Sequence, residues 1–378
     1  MSVGKLSSIF PPEFQEKTWL TVCLYNVVAA VHDIGLELIQ SVTVNKRLRI
    51  LATVPIDPVA HEELGKRYSI LTAPSDDHQT LVQLVPEMVC LISRGLAPID
   101  VSIMDAGKNL VVISRSGAGY ENVDIAMATS RGIPVVYAPL LGPAVAEATF
   151  AMVLALTKRL FFWHDSLLQG QWDRRLTERT NDLEGKTWGI VGLGRIGQEV
   201  AKRAAPFNIN VIAFDPYIPA ETALRLGVTM KSLDQLLESS DIITIHAVVT
   251  PETVGLIHRS NLAKIKRGSY LVNFSRGALI ENLDILYEGL QDGRLAGVGL
   301  DVFPEEPPSN IGHPLFSHVN FIGSPHVLAS TVGSEARCYR SMCRDVMAVL
   351  DGERPQWCVN PQVFESPKLR QLERGHVE

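Results

Sequence analysis

The distribution of apolar and polar residues changes character near Arg47. Before it, residues 1–46 carry Phe14, Trp19, Leu20, Leu24, Val27, Val28, Val31 and Leu36 at mixed helical spacing, which predicts one or two short amphipathic helices in an amino-terminal extension. From Arg47 onward, short β-branched runs (RLRILATV, YSILTA, MVCLIS, NLVVISRSG and IPVVYAP) alternate with helical or loop segments. Strands alternating with helices predict a parallel sheet. The stretch EATFAMVLALTKRL, from Glu147 to Leu160, reads as a strongly apolar helix, and the charged WDRRLTERTNDLEGK after it as a loop or arm. A second series follows: TWGIVGLG, INVIAFD, DIITIHA, GSYLVNFS, AGVGLDVF and NFIGSPH predict six strands of a doubly wound sheet. The last helical segment, SEARCYRSMCRDVMAVLDGERP, comes after these strands and is expected to return to the first sheet.

At 378 residues the chain is too long for one ordinary core. The pattern predicts an α/β protein of two domains with doubly wound parallel sheets and a cleft between them. Their bounds are expected at 47–143 plus 329–378 for the first and 144–328 for the second, with 1–46 as the extension.

With 46% hydrophobic and 20% charged residues, 28 Gly and 22 Pro, the composition excludes a collagen-like, coiled-coil or largely disordered chain. A net charge of -6 without any long basic run speaks against nucleic acid as a partner. Five cysteines without a Cys-x-x-Cys pair support neither a disulfide framework nor a zinc site, so no metal is expected and a reducing compartment is. The longest apolar stretch, Trp19 to Val31, is interrupted by Thr21 and Asn26 and too short to span a bilayer, and the start lacks the order of a secretory signal. A cytoplasmic protein without membrane contact is expected.

In WGIVGLGRIGQEVAKRA an apolar strand runs into Gly192, Gly194 and Gly197 and then into an amphipathic helix. The first glycine permits a tight turn, the second a close approach of backbone to a pyrophosphate, and the third close packing of helix on strand. Alone, such a pattern is also met in purely structural turns. Asp215, ending the next predicted strand about 20 residues on, adds a carboxylate placed to accept hydrogen bonds from ribose hydroxyls. Its charge would oppose the extra phosphate of NADP, and no Arg or Lys follows in DPYIPAE, so NAD is the expected cofactor. The mid-chain position of the glycines disfavours FAD.

Hydride transfer to a carbonyl needs a cation to hold and polarise the substrate, a proton donor, and a group that sets the donor's pKa. Arg276 in LVNFSRGALIE, Glu306 in GLDVFPEEPP and His326 in IGSPHVLAST each lie just past a predicted strand, where ligands of open α/β sheets bind. Taken singly each has a plainer reading. Arg276 can be a surface residue beside a turn, Glu306 a solvated loop residue in competition with Glu305, and His326 a cap or core histidine in competition with His246.

The ordered set RSGAGYENVD, GLGRIGQ, HAVVTPETVGLI, LVNFSRGALIE, GLDVFPEEP and SPH resembles the D-isomer-specific 2-hydroxyacid dehydrogenases, which include phosphoglycerate dehydrogenases and glyoxylate/hydroxypyruvate reductases. The resemblance runs from about Arg47 to Pro361. It implies two Rossmann-like or flavodoxin-like domains, the second binding NAD, and interconversion of a 2-oxo acid and a D-2-hydroxy acid. It further implies Arg276 on the substrate carboxylate and carbonyl, His326 as acid and base, and Glu306 orienting the imidazole. Ala118 and Gly119 would receive the carboxylate through their amides and Arg195 and Ile196 would touch the pyrophosphate. Val248, Phe274, Ser275 and Asp301 complete the cofactor surroundings, with Asp301 near the nicotinamide carboxamide. A homodimer is implied too, with the arm at WDRRLTERTNDLEGK as a contact.

Three positions depart from the family's usual pattern: Tyr137 where Asn is frequent, Ala148 where His is, and Ala118 where Val or Thr is. They leave room for a sugar-derived or phosphorylated acid as substrate. A non-catalytic NAD-sensing protein of the corepressor kind is the rival from another class. Glu306 argues against the formate dehydrogenase branch, which has Gln there, and the end of the chain soon after VNPQ predicts no carboxy-terminal regulatory domain.

Overall fold

The computed structural model describes residues 47–95 and 97–372, and in it the β-branched runs pair into two sheets whose named strands are all parallel. The helices expected within residues 1–46 lie outside the described residues. The first sheet has β1 (Arg49–Ala52), β2 (Ser69–Thr72), β3 (Cys90–Ser93), β4 (Val112–Arg115) and β5 (Val135–Val136) in the order β2-β1-β3-β4-β5. Its crossovers hold α1 (Pro58–Gly65), α2 (His78–Leu84), α3 (Val101–Ala106) and α4 (Ile125–Ser130). Each of these four short helices starts at an aspartate, Asp57, Asp77, Asp100 or Asp124, whose carboxylate accepts a first-turn amide. Such a cap contributes about 1 kcal/mol, a useful share for helices too short to persist alone.

Both faces of this sheet are covered, as parallel sheets require. Ile50, Ala52 and Ile92 pack with Tyr339, Met342 and Val346, while Leu51, Leu91 and Ile113 pack on the other face with Leu81, Ile103 and Met104. The change of partner between Leu51 and its neighbours is the period of two of a strand.

The chain then forms α5 (Gly142–Thr157) and α6 (Leu160–Leu168), and enters the second sheet. That sheet is built from β6 (Thr187–Val191), β7 (Asn210–Phe214), β8 (Thr229–Met230), β9 (Ile242–Ile245), β10 (Ser269–Asn273), β11 (Leu295–Leu300) and β12 (Phe321–Gly323). Its order is β12-β11-β10-β9-β6-β7-β8, one strand more than the six expected. The extra strand, β8, has two residues and no sequence period to reveal it. Between its strands run α7 (Arg195–Ala204), α8 (Ala220–Arg225), α9 (Leu233–Ser239), α10 (Arg259–Leu262) and α11 (Leu283–Gln291).

The order reverses between β6 and β9, which opens a crevice at their carboxyl ends, and the Gly192 turn lies there. Buried between the same two strands, Trp188 Nε1 donates to Thr244 Oγ1 at 2.9 Å. The apolar helix expected from Glu147 to Leu160 is two helices, because Arg159 takes a left-handed backbone at φ 50° while its guanidinium stacks 3.9 Å from the Phe162 ring. Gly299 lets α5 approach: a Cβ there would lie 2.5 Å from Met152 Cγ.

The last helix, α12 (Val332–Leu350), packs against α1, β4 and β5 of the first sheet. Beyond it Asn360, fully buried, fastens the tail to that sheet. Its Oδ1 accepts Val135 N–H at 2.8 Å, and its Nδ2 donates to Thr129 Oγ1 and Ile133 O, both at 3.0 Å. No helix among the described residues is long and apolar enough to cross a membrane. Replacing Asn360 by Ala strands a buried amide and a buried carbonyl, so urea unfolding of Asn360→Ala is expected to show a loss of about 2–4 kcal/mol.

Candidate active site

The glycine turn is the best local test of a bound dinucleotide. Gly192 has φ 92°, and a Cβ there would lie 2.5 Å from Ala247 N; a Cβ on Gly197 would lie 2.2 Å from Gly192 O. These two glycines are therefore required by the protein's own packing. Gly194, the N-cap of α7, is different: a Cβ there meets no protein atom within 4 Å. Nothing in the fold asks for glycine at that position, whereas a pyrophosphate seated on the Arg195, Ile196 and Gly197 amides does. Asp215 accepts Leu193 N–H through Oδ2 and Tyr217 N–H through Oδ1, both at 2.9 Å, so its carboxylate is tied to the glycine turn and keeps lone pairs for a ribose. Arg195 sends its guanidinium to the ring of Trp357, 4.9 Å from the centroid, with Tyr137 edge-on to that ring.

The residues expected to do chemistry converge. His326 Nδ1 faces Glu306 Oε2 at 2.8 Å, and the ring's Nε2 has no protein partner among the described residues. The second oxygen of Glu306 accepts Phe303 N–H at 3.0 Å. Glu305, the competitor in the sequence, instead accepts from Ser309 Oγ. His326 holds a left-handed backbone at φ 53° in a loop fastened by buried Asp301, whose Oδ1 accepts Ser324 Oγ at 2.6 Å and Val327 N–H at 3.1 Å. Arg276 is set by its neighbours: Asn273 bridges its carbonyl and the Ser275 amide, each at 2.9 Å, and Ser275 Oγ donates to Ala247 O. A Cβ on Gly277 would lie 1.9 Å from the Phe303 carbonyl carbon, so the Arg276 loop and the Glu306 loop are pressed backbone to backbone.

The electrostatics separate the two histidines at strand ends. The hydrogen bond with Glu306 raises the His326 pKa above its usual 6.5; burial and the Arg276 charge oppose this, and the Glu306 charge adds to it. Burial pushes the Glu306 carboxyl up, but its bonds from His326 and Phe303 and the fields of His326 and Arg276 outweigh this and leave it lowered. His246 lies beneath the glycine turn with both ring nitrogens buried and unpartnered, and burial pushes it down to about 3. It is neutral at physiological pH and cannot serve as the proton donor.

Ala118 and Gly119 lie in the loop after β4, partly exposed, and among the described residues neither amide donates to a protein acceptor. Arg115 holds this loop from below: Nε donates to Gly119 O at 2.9 Å, and Nη1 to Ser93 O and Gly95 O at 3.1 Å. Gly119 lies against Arg276, where a Cβ would be 2.5 Å from Nη2. Arg276 also pairs with Glu121, a residue of this loop that sequence reasoning did not single out. Of the expected cofactor neighbours, Phe274 is buried, Ser275 half-buried and Val248 exposed. Ala148 lies in the core behind the second sheet.

The family model of the D-isomer specific 2-hydroxyacid dehydrogenase NAD binding domain matches residues 150–327. A glyoxylate reductase of Thermofilum pendens is 38% identical over 294 residues, covering 76% of this chain and 84% of its own. A D-3-phosphoglycerate dehydrogenase of Methanocaldococcus jannaschii is 36% identical over 327 residues, 86% of this chain and 62% of that one. Of the next two phosphoglycerate dehydrogenases the chain spans 58% and 57%. The crystal structure of a D-lactate dehydrogenase from Aquifex aeolicus, complexed with NAD and lactic acid, superposes with a TM-score of 0.73 at 26% identity, covering 81% of this chain and 96% of its own. The glycine turn, the parallel sheets and these relationships agree: the chain belongs to the D-isomer specific 2-hydroxyacid dehydrogenase family.

Proposed function

We propose that the protein is an NAD-dependent oxidoreductase interconverting a 2-oxo acid and a D-2-hydroxy acid, with His326 as acid and base, Glu306 orienting it and Arg276 binding the substrate. The observation that carries this reading is the 2.8 Å His326–Glu306 pair set beside Arg276 and two open amides. Bound NADH would supply the hydride to the carbonyl carbon, and bound NAD would accept it in the reverse direction. The amides of Ala118 and Gly119 and the Arg276 guanidinium hold the substrate carboxylate and draw charge onto the 2-oxo oxygen. His326 gives the proton of Nε2 to that oxygen, becoming neutral, and Glu306 stabilises the imidazolium before the transfer. In oxidation the neutral ring takes the hydroxyl proton.

The cofactor would rest on Gly192, Gly194, Arg195, Ile196 and Gly197, with its ribose on Asp215 and its nicotinamide among Val248, Phe274, Ser275 and Asp301. The Asp215 carboxylate, with no cation in DPYIPAE to offset it, favours NAD over NADP. We infer that 47–143 with 329–378 forms the substrate domain and 144–328 the NAD domain, supported by α5 packing on the second sheet and α12 on the first. A homodimer is supported by the exposed apolar side chains of Leu160, Phe161, Leu167, Leu168 and Trp172 along α6 and the arm that follows. The four described cysteines are free thiols, which suits the cytoplasm.

Purified protein is expected to consume NADH with one or more of glyoxylate, hydroxypyruvate, pyruvate and phosphohydroxypyruvate, and NADPH at least tenfold less efficiently, roughly the discrimination one unfavourable charge contact gives. His326→Ala should lower kcat by about a hundredfold or more with NADH affinity kept. Silence of the whole panel with NADH binding intact would point to an acid outside it, such as a sugar-derived one, or to a nucleotide sensor.

The raised His326 pKa sets the sign of the pH dependence. Reduction requires protonated His326, so kcat/KM is full at low pH and falls as pH rises through a pKa above 6.5. In Glu306→Gln the alkaline limb should move to lower pH; an unmoved limb removes Glu306 from the role. For assembly, light scattering should return twice the mass of one chain, and Leu168→Glu with Trp172→Glu should return the monomer.

A further inference from the structure

We propose that Trp357 and Tyr137, both fixed to the first sheet, seat the Arg195 guanidinium so that its N–H groups meet the cofactor's pyrophosphate. This rests on the reading that Arg195 touches that pyrophosphate. Arg195 is the first residue of α7, directly after the Gly194 N-cap, while Tyr137 follows β5 and Trp357 lies in the tail beyond α12. The guanidinium carbon lies over the Trp357 ring, 4.9 Å from its centroid, and both Nη atoms are 3.5 Å from the Tyr137 hydroxyl. Tyr137 stands edge-on to Trp357, the centroids 6.4 Å apart and the planes at 82°. These contacts join the glycine turn of the second sheet to the tail of the first. Trp357 is held on both sides. Gln356 N–H donates to Oδ1 of the buried Asp345 on α12 at 3.1 Å, Cys358 bridges Val136 of β5, and Asn360 is the buried amide that fastens the tail. Tyr137 follows directly on Val136, so one strand fixes both rings.

The seat directs the guanidinium and leaves it its donors. A tryptophan ring attracts a cation through its quadrupole and has no acceptor lone pair, so it holds Arg195 without occupying the N–H groups. The phenol oxygen at 3.5 Å is a long contact, which a phosphate oxygen at ordinary hydrogen-bond distance displaces. No carboxylate competes either. Among the described residues Arg195 makes no ion pair, and Glu199, one turn further along α7, is taken by Lys202 and Arg203. An arginine left in solvent loses its rotamer freedom when an anion binds, whereas one already held over a ring has lost it beforehand and binds with a smaller entropy cost. The seated Arg195 thus presents a cation with open N–H groups beside the amides at the start of α7, as an anionic bridge requires.

Such a seat affects only ligands that carry a pyrophosphate. Dissociation constants for NADH, ADP-ribose and adenosine are measured on the full chain, the last two by displacement of NADH fluorescence. Trp357→Leu keeps apolar bulk but removes the π face, and is expected to weaken NADH and ADP-ribose about fivefold while adenosine binds as before. Trp357→Tyr keeps a ring face and should stay within about twofold for all three. Arg195→Ala should weaken the two pyrophosphate ligands about tenfold, and adding Trp357→Leu to it should change nothing further, since the seat then has nothing to hold. Unchanged ADP-ribose affinity in Trp357→Leu, an equal loss for adenosine, or a further fivefold loss in the double variant overturns the proposal. If Arg195→Ala leaves ADP-ribose affinity unaltered, Arg195 is not at the pyrophosphate and the proposal falls with that reading. If Arg195→Ala weakens it and Trp357→Leu does not, only the seat falls. A wild type that reduces no 2-oxo acid yet shows the coupled losses refutes the proposed reaction and leaves the seat standing.

Discussion

The geometry of the site depends on one buried carboxylate. Asp301, at the end of β11, is 3% exposed and spends Oδ1 on Ser324 Oγ and the Val327 amide. Those bonds fix the chain after β12 in a turn that holds His326 at φ 53°, a backbone state that costs a side-chain-bearing residue about 1 kcal/mol or more. The histidine is thereby presented to Glu306, whose own loop is pinned where Gly277 meets the Phe303 backbone. Three loops that leave neighbouring strands β10, β11 and β12 are locked in register, so Arg276, Glu306 and His326 form one unit. Preorganisation of this kind would let weak, half-exposed ion pairs act on a reacting carbonyl without first paying to orient themselves.

Across from that unit the contacts are of a different kind. Arg276 meets Glu121, and Arg195 meets Trp357 and the hydroxyl of Tyr137 at 3.5 Å, all between side chains that solvent reaches. Each is worth on the order of 1 kcal/mol or less, small enough to be made and broken as a cleft opens and closes. The fold thus places strong, buried polar ties within the face that would work on the nicotinamide side and weak ones across the gap. That division suits a site that must admit substrate and then exclude water.

Much of this was legible in the sequence because it is local. The order of β-branched runs shows a parallel α/β protein, since strand and helix periods are written in neighbouring residues, and Gly192, Gly194 and Gly197 mark their turn by a spacing that lies within six positions. Even the four aspartates that cap α1 to α4 stand where a helix start requires them. Local reading failed where local signals were weak: β8 is two residues long, and the break at Arg159 goes with the stacking of its guanidinium on the ring of Phe162, three residues on, and not with a glycine or proline.

What the sequence by itself determined is therefore the class of fold, the glycine turn and the set of residues able to do chemistry. Only the tertiary structure decided between equals. Glu305 and Glu306 are adjacent acidic residues, and which one reaches His326 is set by the packing of Gly277 on Phe303. His246 and His326 both end strands, and burial without a partner pushes the first down while the hydrogen bond with Glu306 raises the second against its own burial. Glu121 lies within RSGAGYENVD, but its pairing with Arg276 cannot be read there, because the partner is 155 residues away. A residue's charge state and orientation depend on desolvation and on neighbours brought together by folding, and neither quantity is encoded in the spacing of the residues that feel it.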